Sequence, residues 1–119
     1  MMRNKEIENM ERPWGAYFIL DKNPLYKLKR IEVNINSRLS YQYHEKRSET
    51  WVVIDGGGIV TIDGKTKEIG KGDVIIIPKK SKHRVENTSD KKLIFIEVQT
   101  GTYFGEDDIV RIEDDYNRV

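Results

Sequence analysis

A chain of 119 residues with a net charge of +1 and no cysteine limits its own chemistry. It is long enough for one domain with a real core, too evenly charged for nucleic-acid binding driven by bulk electrostatics, and free of disulfides and thiolate ligands. No apolar run approaches the ~18 residues of a membrane span, and the charged start Met1-Met-Arg-Asn-Lys-Glu6 lacks a signal peptide's apolar stretch, so a cytoplasmic protein with no membrane partner is expected.

Met1–Met10 offers at most a short helical turn. Trp14, in Arg12-Pro-Trp-Gly15, reads as core or dimer packing rather than a sugar-stacking platform. Tyr26 to Ile35 is strand-like. Lys29 and Arg30 are adjacent within it, so one faces out and the other can face a cavity. Gln42 and His44 are two apart and share a face. Glu49 follows a four-residue turn and is expected on the return strand of the same hairpin, with Trp51 and Val53 on its inward face. Arg47, in that turn between His44 and Glu49, is either a solvated loop arginine or a cation beside a metal site, able to bind phosphate or stabilise developing negative charge. Lys46 beside it can bind phosphate but is a poor base unless its pKa is lowered.

Further along, Asp55-Gly-Gly-Gly58 is a turn. Ile59-Val-Thr-Ile62, Asp63-Gly64 and Lys65-Thr-Lys-Glu-Ile69 predict a β-hairpin with a type I′ turn. Gly70-Lys-Gly-Asp73 is a third turn. Val74-Ile-Ile-Ile77 is a short buried strand that stops at Pro78. His83 shares a strand face with Val85 and Asn87. In the strand Leu93 to Gln99, Glu97 and Gln99 share a face with Leu93 and Phe95, which suits a face whose far end lines a polar cavity. Gly105-Glu-Asp-Asp108 lacks the ligand spacing of a calcium loop and reads as a turn closing the domain; Glu113-Asp-Asp115 reads as solvated surface. The whole is all-β, without repeats, low-complexity segments or linkers.

The chemistry concentrates in two spaced motifs, Gln42-x-His44-x4-Glu49-x6-Gly56 and Gly72-x5-Pro78-x4-His83-x3-Asn87. A lone histidine more often packs than ligates. Here the two motifs hold the chain's whole histidine content, each beside turn residues at a fixed offset. Gln42, His44, Glu49 and His83 offer one amide oxygen, two imidazoles and one carboxylate. That donor set suits a borderline divalent cation, zinc ahead of iron, manganese or nickel.

These spacings resemble the two cupin motifs, G-x5-H-x-H-x(3,4)-E-x6-G and G-x5-P-x-G-x2-H-x3-N. Gln42 stands where the first motif has its first histidine, and Asn36 and Lys80 stand where the motifs have glycine. The stretch from Arg12 to Arg118 is similar to the cupin domain of type II mannose-6-phosphate isomerases, which are often fused to a mannose-1-phosphate guanylyltransferase. The matching segments are Arg12-Pro-Trp-Gly15, Tyr26-Lys-Leu-Lys-Arg30, Leu39-Ser-Tyr-Gln-Tyr-His44, Arg47-Ser-Glu-Thr-Trp51, His83-Arg-Val-Glu-Asn87, Ile96-Glu-Val-Gln-Thr-Gly101 and Gly105-Glu-Asp-Asp-Ile-Val-Arg111.

The resemblance implies a cupin double-stranded β-helix, a jelly-roll barrel, as one stand-alone domain that forms a homodimer. It implies interconversion of mannose 6-phosphate and fructose 6-phosphate, with Gln42, His44, Glu49 and His83 on the metal. Arg47 is expected to be catalytic, Glu97 is the candidate base, and Arg12, Lys29, Lys46 and Gln99 are expected to contact a small sugar phosphate. Lys46 departs from relatives that carry a histidine there, so a proton shuttle is not expected at that position. These residues contain neither the glycine-rich phosphate loop nor the long α/β domain of a nucleotidyltransferase. The alternatives are a cupin that binds a sugar phosphate or nucleotide sugar without turnover, and a metal oxygenase. The fourth ligand, Gln42, argues against the oxygenase.

Overall fold

Two-residue alternation between inward and outward side chains organises the chain into two antiparallel sheets around a shared core. The computed structural model describes residues 8–118. Among these, eleven strands run in order: β1 (Glu8–Arg12), β2 (Gly15–Lys22), β3 (Lys27–Val33), β4 (Tyr41–Tyr43), β5 (Arg47–Asp55), β6 (Gly57–Ile62), β7 (Lys65–Gly70), β8 (Val74–Ile77), β9 (His83–Asn87), β10 (Leu93–Gly101) and β11 (Val110–Glu113). One sheet is ordered β1-β2-β3-β10-β5-β8 and the other β11-β4-β9-β6-β7. This is the expected all-β jelly roll, with no helix among the described residues.

The inner face of the six-stranded sheet is divided along its strands. At one end Val33 pairs with Leu93, Ile31 with Phe95, and Phe95 with Val53. All five are buried, and Phe95 stacks on Trp51 with ring centroids 4.5 Å apart. At the other end Lys29 pairs with Glu97, Lys27 with Gln99, and Gln99 with Glu49, and these too are buried. The same period that fills the core thus carries six polar or charged side chains, Arg47 included, inward on three neighbouring strands. The reading of Glu97 and Gln99 as the polar end of a core face describes this arrangement.

The β6–β7 hairpin closes at Asp63 and Gly64 with φ of 48° and 83°, the two positive values of a type I′ turn. Asn36 and Lys80 keep the left-handed backbone of the glycines they replace, at φ 58° and 70°. Asn87 is fully buried. Its amide donates to the Val33 and Lys91 carbonyls at 2.9 and 2.8 Å, tying β9 to the opposite sheet.

Four expectations are corrected. His44 and Glu49 do not lie on one hairpin: β4 pairs with β9 and β11, whereas β5 pairs with β10 and β8, so the chain changes sheets between them. The crossing needs no ladder, because the Asp108 carboxylate accepts the amides of Glu45 and Lys46 and the Lys80 amide bonds the His44 carbonyl. The strand Val74–Ile77 is only half buried, since β8 is a sheet edge and Val74 and Ile76 face outward. The expected helical turn near Met1–Met10 falls partly on residues 1–7, outside the described range; Glu8–Met10 belong to β1. Finally, the acidic run Glu113–Asp115 is not merely solvated: the Asp114 side chain is fully buried against Arg118.

Gly58 is fixed by close approach, since a Cβ there would lie 2.0 Å from the Glu86 carbonyl oxygen of β9. Gly70 has open space around it. Gly58→Ala is therefore expected to lower unfolding free energy in urea by about 1–3 kcal/mol, and Gly70→Ala to stay within about 0.5 kcal/mol of the parent.

Candidate metal centre and its cavity

His44 follows β4 directly, Glu49 lies on β5, and His83 opens β9. The sheet crossing brings them together. His44 Nε2 lies 3.2 Å from one Glu49 oxygen and His83 Nε2 lies 4.0 Å from the other, with all three side chains nearly inaccessible. One ligand atom from each residue falls within 4.8 Å of the others. Gln42 pairs with His83 in register, is buried, and lines the same cavity as His44 and Glu49.

The outer nitrogens of both rings are committed to the backbone. His44 Nδ1 sits 2.6 Å from the Asp108 carbonyl and His83 Nδ1 2.9 Å from that of Ser81. A carbonyl only accepts, so each Nδ1 carries a proton and each Nε2 is turned towards Glu49. His83 Nε2 is buried without a partner. Burial, reinforced by Arg47, pushes the His44 pKa down to about 4, so the ring is neutral near pH 7.

Glu49 is buried, which opposes its charge, yet Arg47 and then the two histidines hold its pKa well below the usual carboxylate range. Arg47 Nε donates to Glu49 Oε2 at 2.9 Å, and the Trp51 indole donates to Oε1 at 3.0 Å. Burial works against the Arg47 charge, but Glu49, and then Glu106, keep it cationic. Two imidazole nitrogens, one of them unpartnered, an ionised carboxylate and a neighbouring amide fit a borderline divalent cation.

Glu97 sits behind Glu49 on β10. Burial and the Glu49 charge push its pKa up to about 8, against Lys29 and Arg47. At neutral pH it holds its proton and shares a hydrogen bond with Glu49. Gln99 is fully buried and donates to Glu97 at 2.6 Å. Nearby, Lys27 and Lys29 converge on Glu106 at 2.6 and 3.0 Å, and although burial opposes it, Lys29 and Lys27 bring its pKa down to about 2.

The structure brings Arg12, Lys29, Arg47 and Glu97 to the cavity that Gln42, His44 and Glu49 line. Arg47 is a buried strand residue, not a solvated loop arginine. Gln99 positions Glu97 from behind. Lys46 is the exception: it is exposed, lies over the Tyr103 ring, and does not line the cavity, because the sheet crossing turns it outward. Trp14 is core and also cavity wall. Reading the sequence alone missed Glu106, Asp108, Arg111 and Arg118. They lie in or after an irregular acidic turn, where no periodicity assigns a face.

Known proteins resemble this chain in sequence and in fold. The family described as mannose-6-phosphate isomerase C-terminal matches residues 2–114. The mannose-1-phosphate guanylyltransferase ManC of Salmonella typhimurium is 45% identical over 108 residues, covering 91% of this chain and 22% of that protein. The alginate biosynthesis protein AlgA of Pseudomonas aeruginosa is 44% identical with the same coverage. The chain thus spans about a fifth of the length of these relatives. Among solved structures, the capsular polysaccharide assembling protein CapF of Staphylococcus aureus superposes with a TM-score of 0.76 at 19% identity, over 89% of this chain and 34% of that one. The Streptomyces nucleoside dehydratase Pac13 superposes with 0.74 at 16% identity, over 95% and 93%. The chain belongs to the mannose-6-phosphate isomerase C-terminal family, and its fold is a cupin.

Elemental analysis of purified protein is expected to give one divalent ion per chain, lost in His83→Ala and kept in Glu97→Gln. In metal-free protein the raised Glu97 pKa makes the folded state bind a proton that the unfolded state releases near pH 4.5. That contribution to stability is complete below pH 4.5 and is lost as pH rises to about 8. The Tm of chelator-treated Glu97→Gln should therefore gain on the parent across that window and keep a constant margin above it.

Proposed function

We propose, with this family as the premise, that the chain is a metal-dependent isomerase interconverting mannose 6-phosphate and fructose 6-phosphate. The observation that carries this reading is a buried carboxyl, Glu97, beside the carboxylate of a metal-type donor set inside a cavity lined by cations. Aldose–ketose isomerisation moves one proton between C1 and C2, which needs a group able to take a proton and return it. A divalent ion held by Gln42, His44, Glu49 and His83, zinc by its donor set, would act as a Lewis acid on the carbonyl and hydroxyl oxygens.

The chain's own residues supply the rest. Glu97 is the base. Its pKa is raised in part by the Glu49 charge, so neutralising Glu49 lowers it and frees the carboxylate to accept the C2 proton and deliver it to C1, while the O2 hydroxyl proton passes to O1. Gln99 fixes its orientation. The Arg47 guanidinium spans Glu49 and His44, 3.5 Å from His44 Nε2, where it steadies Glu49 and places positive charge beside the reacting oxygens. The core residues Trp51 and Phe95 line the cavity and help keep bulk water from the intermediate.

Binding without turnover is favoured by two features, Lys46, which replaces a histidine of relatives, and the lack of a nucleotidyltransferase domain among these residues. Because Lys46 lies outside the cavity, that substitution leaves the site untouched. The guanylyltransferase activity in the relatives' names belongs to proteins of which this chain spans about a fifth, and no α/β domain is present among the described residues.

Zinc-loaded protein given mannose 6-phosphate should produce fructose 6-phosphate. Arg47→Ala should lower kcat by ~100-fold, with Arg47→Lys rescuing only part because lysine cannot form the planar contact. Glu97→Gln should lower kcat by about 10²–10⁴ with metal content unchanged. Metal-loaded protein that binds mannose 6-phosphate and releases no product would establish the binding-only reading instead.

A further inference from the structure

We propose that Arg12, Arg111 and Arg118 form a phosphate-binding subsite at the mouth of the cavity, which seats the phosphate monoester while the other end of the sugar faces His44, Glu49 and His83. The proposal rests on the sugar-phosphate reading above, and it assigns a recognition role to two arginines that the motifs did not mark.

The three guanidinium groups come from separate stretches of chain and line the cavity together with Gln42 and Glu49. Arg111 lies on β11 directly opposite Gln42 of β4, so it stands one strand from the metal-type ligands. Arg12 ends β1 and packs over the Tyr17 ring, 5.2 Å from its centroid. Arg118 follows β11 and lies over Tyr116.

The cluster is short of negative charge. Asp114 is its near acid, and Arg118 already takes both Asp114 oxygens, at 2.7 and 2.9 Å. Of the acids that line the cavity, Glu106 is occupied by Lys27 and Lys29 and Glu49 by Arg47. Arg111 is left with a buried Nε that has no hydrogen-bond partner among the described residues. Burial, and then repulsion from Arg118 and from Arg12, work against its charge, with Asp114 only partly offsetting them. Packing alone gives no reason to hold a third cation there, because a leucine or methionine would fill the space without an orphaned donor. A phosphate monoester answers each feature: it carries close to two negative charges, and its three oxygens accept the forked donors of several arginines at once.

Calorimetric titration of the zinc-loaded full chain with mannose 6-phosphate, inorganic phosphate and mannose tests the subsite. Mannose 6-phosphate should bind and inorganic phosphate should compete with it. Arg111→Ala and Arg12→Gln should each weaken mannose 6-phosphate by ~10- to 100-fold, leave mannose and metal content unchanged, and lose competition by phosphate. Arg38→Gln, on the exposed Arg38–Asp115 pair, should change nothing. Because the Arg111 Nε has no hydrogen-bond partner among the described residues, replacement by alanine should not lower the Tm; if that variant nevertheless fails to fold, Arg12→Gln decides. Parental affinity in both variants, or a parent that binds neither phosphate compound, overturns the subsite. Arginine-dependent binding without turnover overturns the isomerase reading alone. Turnover with a KM indifferent to these arginines overturns the subsite alone.

Discussion

The buried charge of Glu49 is the constraint around which one end of this barrel is built. An ionised carboxylate removed from water is costly unless its oxygens are fully engaged. Here Arg47 and Trp51 donate to them and the two histidine rings turn their Nε2 atoms to the same place. Each of those partners is itself held. The rings are pinned through Nδ1 by backbone carbonyls, and Arg47 is registered against Gly101 on the neighbouring strand. Glu97 then meets a negative charge in a dry environment and keeps its proton. A proton-holding acid beside a cation-type donor set is thus a consequence of burying Glu49, not a separate device.

The fold makes this affordable by dividing one continuous face. Along β3, β5 and β10 the same inward alternation runs from Val33, Leu93 and Phe95 to Lys29, Glu97 and Glu49. The apolar half fixes register, and register in turn fixes which polar groups meet, since a slip of one residue would turn every one of them outward. Asp108 links the two sheets at the crossing. Its side chain holds the loop and its carbonyl holds His44, so one residue sets both the path of the chain and the direction of a ligand.

What could be read from the sequence followed periodicity and turn chemistry. The Asp63-Gly64 hairpin, the shared faces of Gln42 with His44 and of Glu97 with Gln99, and the convergence of His44, Glu49 and His83 all follow from a two-residue repeat and the spacing of turns. The sheet crossing after His44 was not legible, because four residues between two strand-like runs spell a hairpin unless a distant side chain, Asp108, satisfies the amides. That crossing also decided Lys46 and Arg47, sending one outward and the other into the core. Glu106, Arg111 and Arg118 were beyond reach for a related reason. Glu106 and Arg118 lie on irregular backbone, which carries no period, Arg111 lies on a four-residue strand too short to show one, and the partners of Glu106 and Arg111 are distant in sequence.

The central claim is that His44, Glu49 and His83 together hold a divalent ion. X-ray absorption at the zinc edge of the loaded protein tests it most directly. The account predicts a shell of nitrogen and oxygen at about 2.0–2.2 Å that includes the outer-ring scattering of two imidazoles. A shell of oxygen alone, or one unchanged when His44 or His83 is replaced, would contradict it.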